Sequence, residues 1–224
     1  MTETLSLRAK IEQSPMGAYQ WMIVVMAAIM NLLDGFDVLA LAFTATAIRG
    51  EFGLTGIELG YLLSAGLFGM TAGSLFLAPL ADKIGRRPLL LMAVSLSAIG
   101  MLGSAFISQY QWLGFWRVIT GLGVGGILVG TNVITSEYSS RKWRSFAISV
   151  YAAGFGIGAV LGGMFAVMLQ GEYGWRSVFL AGAILTGLLL VVLFIWLPES
   201  IDFLTSKQPK NAEVRLNLIA KKLV

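Results

Sequence analysis

The sequence predicts an all-α integral membrane protein with six transmembrane helices. Of the 224 residues, 57% are hydrophobic and only 12% are charged, whereas soluble domains carry about 25% charged residues. Six apolar stretches each approach or exceed the roughly 20 helical residues that cross a hydrocarbon core of about 30 Å. We predict helices because a lipid-exposed open strand would leave its backbone polar groups unpaired.

Polar loops divide the chain into these six stretches. The first stretch is longer than the apolar region of about 7–15 residues in a cleaved signal peptide. We predict a cytoplasmic N-terminus over residues 1–18, a six-helix bundle over 19–198 and a cytoplasmic tail over 199–224. The spans are placed at Tyr19–Ala47, Ile57–Ala81, Pro88–Ile107, Leu113–Thr135, Phe146–Leu169 and Val178–Leu197.

Lysine and arginine alternate between the two ends of the spans, and such residues accumulate in cytoplasmic loops. The opposite side carries only Arg49 and Arg176. We therefore predict that both termini are cytoplasmic in a plasma membrane, the inner membrane of a bacterium. The net charge of +4 reflects this orientation rather than nucleic-acid binding. The cytoplasmic set is Arg8, Lys10, Lys83, Arg86, Arg87, Arg141, Lys142, Arg144, Lys207, Lys210, Arg215, Lys221 and Lys222.

The tail after the sixth span is polar and of mixed charge. Its end has helical spacing at Val214, Leu218 and Lys221 or Lys222. This spacing predicts a short amphipathic helix that lies on the membrane surface or against the bundle.

The chain has no cysteine and no histidine. This excludes disulfides, thiolate nucleophiles, Cys/His zinc sites and histidine acid–base chemistry. We find no enzyme motif and predict neither a cofactor nor a metal. Proton chemistry is therefore left to aspartate and glutamate.

Asp34 and Asp37 stand inside the first apolar stretch, in the segment NLLDGFD. Thirteen uncharged residues, Trp21–Leu33, precede the pair and eleven, Val38–Ile48, follow it, which places both carboxyls near the middle of the membrane. Residues three apart share one broad face of a helix, and Asn31 extends that face by one turn. Gly35 leaves room for a ligand or a neighbouring helix.

An intramembrane carboxyl is expected to face the bundle interior and to mark an ion or substrate pathway. Desolvation and a like-charged neighbour both disfavour ionisation, so the pair is suited to exchanging protons. The alternative is a structural role, with each aspartate held by hydrogen bonds between helices. The sequence assigns the proton to neither residue.

Arg117 lies about one turn inside the outer end of the fourth span, where it requires a counter-charge, a function, or a path by which its charge reaches the surface. Small residues follow it at close spacing, and another set occurs in the fifth span. Glycines allow helix backbones to approach closely. The predicted helix-packing residues are Gly121, Gly123, Gly125, Gly158 and Gly162.

The loop Ala78–Leu90 resembles the signature of the major facilitator superfamily, G-x-L-a-D-r-x-G-R-r-x-x-l, with Ala78 in place of the leading glycine. The fourth span resembles its R-x-x-x-G-x-G-x-G motif, and the sequence LPES closes the sixth span as it often does in that family. The segment DGFD resembles the D-G-x-D signature of the aromatic acid:proton symporters. The matching loop residues are Asp82, Gly85, Arg86 and Arg87, with Glu137 and Arg144 in a further motif, E-y-x-x-x-x-x-R.

These loop residues have physical roles that we state as expectations. Gly85 permits a tight turn, and Asp82 meets a helix N-terminus or a neighbouring arginine. Glu137 pairs with Arg86 or Arg87 and latches the cytoplasmic side. The alternative is that the basic residues only anchor the loop.

The resemblance implies the N-terminal half of a major facilitator fold, built from two inverted three-helix repeats. It also implies proton-coupled symport of aromatic acids, such as 4-hydroxybenzoate or benzoate, by alternating access. Asp34 and Asp37 would couple the proton. The substrate-binding residues would be Asn31, Asp34, Asp37 and Arg117.

Two questions remain open at the level of sequence. The substrate is an aromatic acid or another organic anion, such as muconate or a nicotinate-like acid. The chain is half of a truncated or incompletely recorded transporter that lacks six further helices, a half-transporter that pairs with a second half, or a non-transporting membrane protein that binds a partner.

Overall fold

The computed structural model describes residues 11–12, 15–209 and 212–223. These residues form helices joined by short loops, and no strand occurs among them. The helices are α1 (Ala18–Phe52), α2 (Gly56–Ile84), α3 (Arg86–Ala105), α4 (Tyr110–Tyr138), α5 (Arg144–Tyr173), α6 (Arg176–Trp196), α7 (Ile201–Lys207) and α8 (Ala212–Leu223).

Helices α1 to α6 are long and apolar enough to cross a membrane. The prediction of a six-span, all-helical membrane protein is therefore confirmed. Several helices are longer than predicted because they continue past the apolar core into polar flanks. Helix α1, for example, includes Arg49 and ends only at Gly53, where φ is +64°.

The six helices pack as two related triplets. The most extensive contacts join α2 to α4 and α1 to α5. If each helix of the triplet α1–α3 is matched in order to one of the triplet α4–α6, then α2 corresponds to α5 and α4 to α1. The contact between α2 and α4 therefore corresponds to the contact between α5 and α1. Helices α3 and α6, which correspond in the same way, contact each other. This arrangement is the one that two three-helix repeats produce.

The contact between α1 and α5 brings two backbones together. A Cβ on Gly158 would collide with the carbonyl of Leu32, and a Cβ on Gly35 would collide with the carbonyl of Phe155. Gly35 therefore leaves room for a neighbouring helix. The five predicted packing glycines all lie where a side chain would meet another helix, namely Gly121, Gly123, Gly125, Gly158 and Gly162.

The tail folds back onto the end of the bundle that we predict to be cytoplasmic, here called the inner end. Ala212, Leu216 and Ile219 of α8 are buried in the same apolar cluster as residues of α1. The helix lies against the bundle, but we expected Val214 and Leu218 on its apolar face. Val214 and Leu218 are instead 59% and 55% exposed. The buried face is formed by Ala212, Leu216 and Ile219, which follow one another at steps of four and three residues.

Candidate functional site

The site lies at the centre of α1, where Asp34 and Asp37 are only 2% and 1% exposed. Charged side chains are almost never buried to this degree without a partner. The surroundings of the two carboxyls differ, although the residues are less than one helical turn apart.

Asp37 faces α3 and α4. The hydroxyl of Ser97 on α3 donates a hydrogen bond of 2.7 Å to Oδ2 of Asp37. The other oxygen, Oδ1, is buried and has no hydrogen-bond partner among the described residues. Oδ2 of this carboxyl is thus held in place by Ser97, and Oδ1 is available to bind a proton or a ligand.

Arg117 on α4 is buried beside Asp37, with 3% of its surface exposed. It does not extend to the surface. Its Nη1 donates to the backbone carbonyl of Asp37 at 3.0 Å, and Nη2 donates to Thr120 Oγ1 at 3.0 Å and to Met101 Sδ at 2.8 Å. The guanidinium carbon lies 5.0 Å from the ring centre of Phe179.

A guanidinium has five N–H donors, and these bonds use three of them. Nε is buried without a partner. Arg117 therefore keeps donor capacity for an anion, while its contacts hold the rest of the group against the main chain of α1.

Asp34 has a different environment. No described residue donates a hydrogen bond to it, and its Oδ2 is buried without a partner. Its electrostatic neighbours are Asp37 and Tyr151 of α5. Asn31, one turn away, donates from Nδ2 to the backbone carbonyl of Tyr151 at 2.8 Å, and its own Oδ1 has no partner.

A cavity of about 140 Å³ opens between α1, α2 and α4. Its polar lining consists of Asp37, Arg117 and Thr120, and the remaining lining residues are apolar or glycine. Asn31 and Asp34 do not line it. The structure thus brings Asp37 and Arg117 to one cavity and places Asn31 and Asp34 towards α5.

At the inner end, Gly85 separates α2 from α3 with φ +102°. Asp82 forms an ion pair of 2.6 Å with Arg86. Of the two partners that we expected for it, a helix N-terminus or a neighbouring arginine, it therefore meets the arginine. The carboxylate at the N-terminus of α3 belongs to Glu199, whose Oε1 accepts the backbone N–H groups of Arg86 and Arg87 at 2.7 and 3.0 Å. This role of Glu199 was not predicted.

We expected Glu137 to pair with Arg86 or Arg87, but it does not. Its carboxylate accepts the hydroxyl of Ser200 at 2.8 Å and the backbone N–H of Ile201 at 2.9 Å. The N-terminus of α7 supplies these donors, and Glu199 already occupies the N-terminus of α3. The other cation of the predicted motif, Arg144, lies 3.4 Å from Glu12.

Comparison with known proteins identifies the family. The model of the Major Facilitator Superfamily matches residues 27–221. The chain belongs to the Major Facilitator Superfamily. This family and the relatives described next are transporters, so the prediction that the chain is not an enzyme is confirmed.

Two curated relatives of this superfamily member come from Pseudomonas putida. The gallate transporter is 36% identical over 204 residues, which cover 91% of this chain and 45% of that protein. The 4-hydroxybenzoate transporter PcaK is 34% identical, with coverage of 96% and 48%. The chain thus spans about half the length of the curated relatives it matches.

The fold agrees with that of a solved superfamily structure. The proton:xylose symporter XylE, bound to 6-bromo-6-deoxy-D-glucose, matches with a TM-score of 0.82 and 22% identity. The match covers 92% of this chain and 50% of XylE. At this identity the likeness concerns the fold alone, and it confirms that the six helices form half of a major facilitator fold.

Sequence reasoning missed Ser97 and Glu199 in this superfamily member. Ser97 is a polar residue near the centre of the third span, so its depth was the available signal. Glu199 follows directly after Pro198 at the end of the sixth span. A carboxylate beside a helix end is a candidate cap for any helix N-terminus at the same end of the bundle.

Proposed function

We propose that this chain is one six-helix half of a proton-coupled symporter for aromatic acids, such as 4-hydroxybenzoate or benzoate. The observation that carries the proposal is the cavity in which Asp37, Arg117 and Thr120 are the polar residues of a mainly apolar lining. The names of the gallate and 4-hydroxybenzoate transporters support the substrate class.

The size and chemistry of the cavity suit this class. A closed apolar cavity of about 150 Å³ accommodates benzene, and the volume here is about 140 Å³. The free donors of Arg117 would bind the carboxylate of the substrate, and the apolar lining would contact its ring. Arginine is suited to this task because its donors match the geometry of a carboxylate.

The aspartates make the order of binding important. An ionised pair would repel an anionic substrate, so a proton binds first and the substrate second. Release of both on the other side completes an ordered cycle. Asn31 and Asp34 lie outside the cavity lining, so we assign substrate contact to Asp37 and Arg117.

A second six-helix bundle would complete the site. Superfamily transporters bind substrate between two halves and alternate access by rocking one against the other. The curated relatives are about twice as long as this chain, so the second bundle would come from a C-terminal half or from a second half-transporter. We propose a plasma-membrane location with both termini cytoplasmic, from the distribution of Lys and Arg.

Uptake by a complete transporter that carries this half would test the coupling role. Asp34→Asn and Asp37→Asn are each expected to abolish accumulation of labelled 4-hydroxybenzoate against a gradient. The control is Glu172→Gln, which changes an exposed carboxylate of α5 outside the site. Wild-type accumulation in both aspartate variants would refute the coupling role.

Competition experiments would define the substrate class. Benzoate and protocatechuate are expected to inhibit uptake of labelled 4-hydroxybenzoate, whereas a sugar is not. Stronger inhibition by muconate than by the aromatic acids would favour the alternative of another organic anion. Inhibition by the sugar alone would remove the aromatic acid assignment.

A further inference from the structure

The two aspartates of α1 have unequal surroundings, and this inequality divides their roles. We propose that Asp34 is the carboxyl that gains and loses the coupled proton, whereas Asp37 stays ionised, held by Ser97 as a positioning residue and balanced by Arg117. The inference rests on the proposed function as a proton-coupled symporter and assigns its proton to one atom group.

Asp37 has the partners that an anion requires. Ser97 is fully buried and donates to its carboxylate at 2.7 Å, and a hydrogen bond to an ionised acceptor is stronger than one to a neutral acceptor. Arg117 acts electrostatically on the same carboxylate. An arginine does not give up its proton in proteins, so its buried charge requires an anion nearby.

Asp34 lacks such partners. No described residue donates to its carboxyl, and the described titratable groups that act on it are Asp37 on α1 and Tyr151 on α5. The hydroxyl of Tyr151 accepts a hydrogen bond from Thr131 and donates to the backbone carbonyl of Leu128 rather than to the aspartate. A buried carboxylate without a donor is costly, and the neutral acid avoids that cost.

Charge balance gives the same assignment. The two aspartates and Arg117 are the charged residues near the membrane centre, because the others of α1 to α6 lie close to helix ends. Two carboxylates and one guanidinium leave one negative charge in excess. One proton removes it, and Asp34 is the acceptor for which the described residues supply neither a hydrogen-bond donor nor a cation.

The assignment separates the proton from the substrate. Asp37 and Arg117 line the cavity, whereas Asp34 does not and interacts with α5 instead. The substrate would therefore meet an internally balanced pair at the cavity. The proton would be exchanged at Asp34, on the part of the same helix face that lies nearer α5.

Infrared titration of the 224-residue chain in lipid vesicles tests this inference without transport. A protonated carboxylic acid has a carbonyl stretch that shifts in deuterated water. We expect one such buried band in the unmodified protein, no band in Asp34→Asn, and a band that survives in Asp37→Asn but titrates at more acidic pH, since the like-charged neighbour is gone. A band that persists in Asp34→Asn and is lost in Asp37→Asn would reverse the roles, and equal loss in both would mean a shared proton.

Ser97→Ala provides a second test that leaves both carboxyls in place. Without its donor, Asp37 is expected to contribute a second titrating band. The matched control is Ser95→Ala on the same helix, whose hydroxyl bonds the carbonyl of Leu91 and whose loss should leave the spectrum unchanged. A Ser97→Ala spectrum identical to that of the control would overturn the role of Ser97.

These spectra separate two kinds of failure. If the chain carries another substrate, uptake of aromatic acids is absent while the proton still resides on Asp34. If aromatic acids are accumulated and the band belongs to Asp37, only the division of roles is wrong.

Discussion

Two pairs of carboxyls in this molecule have opposite surroundings: Asp34 and Asp37, which are buried, and Glu199 with the partly buried Glu137. At the membrane centre, Ser97 donates to Asp37, no described residue donates to Asp34, and each aspartate keeps a buried oxygen without a partner among the described residues. At the inner end, Glu199 accepts three backbone N–H groups. Glu137 there accepts a hydroxyl and two backbone N–H groups.

The difference separates carboxyls that stabilise the fold, Glu137 and Glu199, from carboxyls that remain able to react, Asp34 and Asp37. A carboxylate whose oxygens are occupied stabilises the helix ends that supply the donors. A buried carboxyl with a free oxygen remains able to bind a proton or a ligand. Unsatisfied buried polar groups in native proteins require such an explanation, and the carboxyl oxygens among those of the described residues lie together on α1.

Glu199→Ala should have the largest effect on stability. It leaves three N–H groups without an acceptor, one of them buried and two partly buried, at roughly 1 kcal/mol each, so we expect a loss of about 3 kcal/mol in chemical denaturation in detergent micelles. Glu199→Gln retains an acceptor oxygen and should lose about half as much. Equal stability of the alanine variant and the unmodified protein would remove the contrast between the two pairs.

Gly85→Ala should have the next largest effect. At φ +102° and ψ 161° the backbone occupies a region open essentially to glycine, at a cost of about 1–3 kcal/mol for other residues. A Cβ there would also lie 2.5 Å from Glu199 Oε2. We expect a loss of about 2 kcal/mol in the same denaturation assay.

Gly50→Ala is the control for Gly85→Ala. Gly50 lies in helix α1 with open space around it, so alanine should leave stability unchanged or raise it by up to about 1 kcal/mol. Equal losses at the two glycines would argue against a special role of the turn before α3.

Glu51→Gln tests whether occupied oxygens stabilise without burial. Glu51 accepts Trp175 and both Nη atoms of Arg176, but the side chains of the ion pair are each 40% exposed. Water competes for these bonds, so we expect a loss of only about 0.5 kcal/mol, reduced further by salt. A loss as large as that of Glu199→Ala would show that burial is not the deciding variable.

Asp34→Asn should have the smallest effect on stability. The carboxyl has no donor to lose, and asparagine has nearly the same shape, so the free energy of unfolding should change by less than about 0.5 kcal/mol. Accumulation of substrate should nevertheless disappear. A large destabilisation would indicate that Asp34 has a structural role.

The sequence was sufficient to predict the spans and the depth of the central residues. Apolar length determines where a helix crosses lipid, so the six helices follow from it, as does the central position of Asp34 and Asp37. The helix ends were less predictable. Arg49 stays helical because a chain can leave the lipid without ending its helix.

Side-chain partners were not predictable from one sequence. Glu137 was expected to meet Arg86 or Arg87, but backbone N–H groups at a nearby helix end took its oxygens. Backbone donors carry no sequence signature. The role of Glu199 could not be predicted for the same reason, because its partners are also backbone N–H groups. The apolar face of α8 was likewise predicted from spacing alone. Spacing cannot decide whether the stripe with Val214 and Leu218 or the stripe with Leu216 and Ile219 contacts the bundle.

The interlocked backbones of α1 and α5 limit how the aspartates can move. Gly158 sits against the carbonyl of Leu32 and Gly35 against that of Phe155, so sliding either helix by one residue would drive a side chain into a carbonyl. Shear between them is blocked, and the pair can move only as one body. A covalent crosslink between α1 and α5 should therefore leave a transport cycle intact, whereas one that ties α1 to a second bundle should stop it.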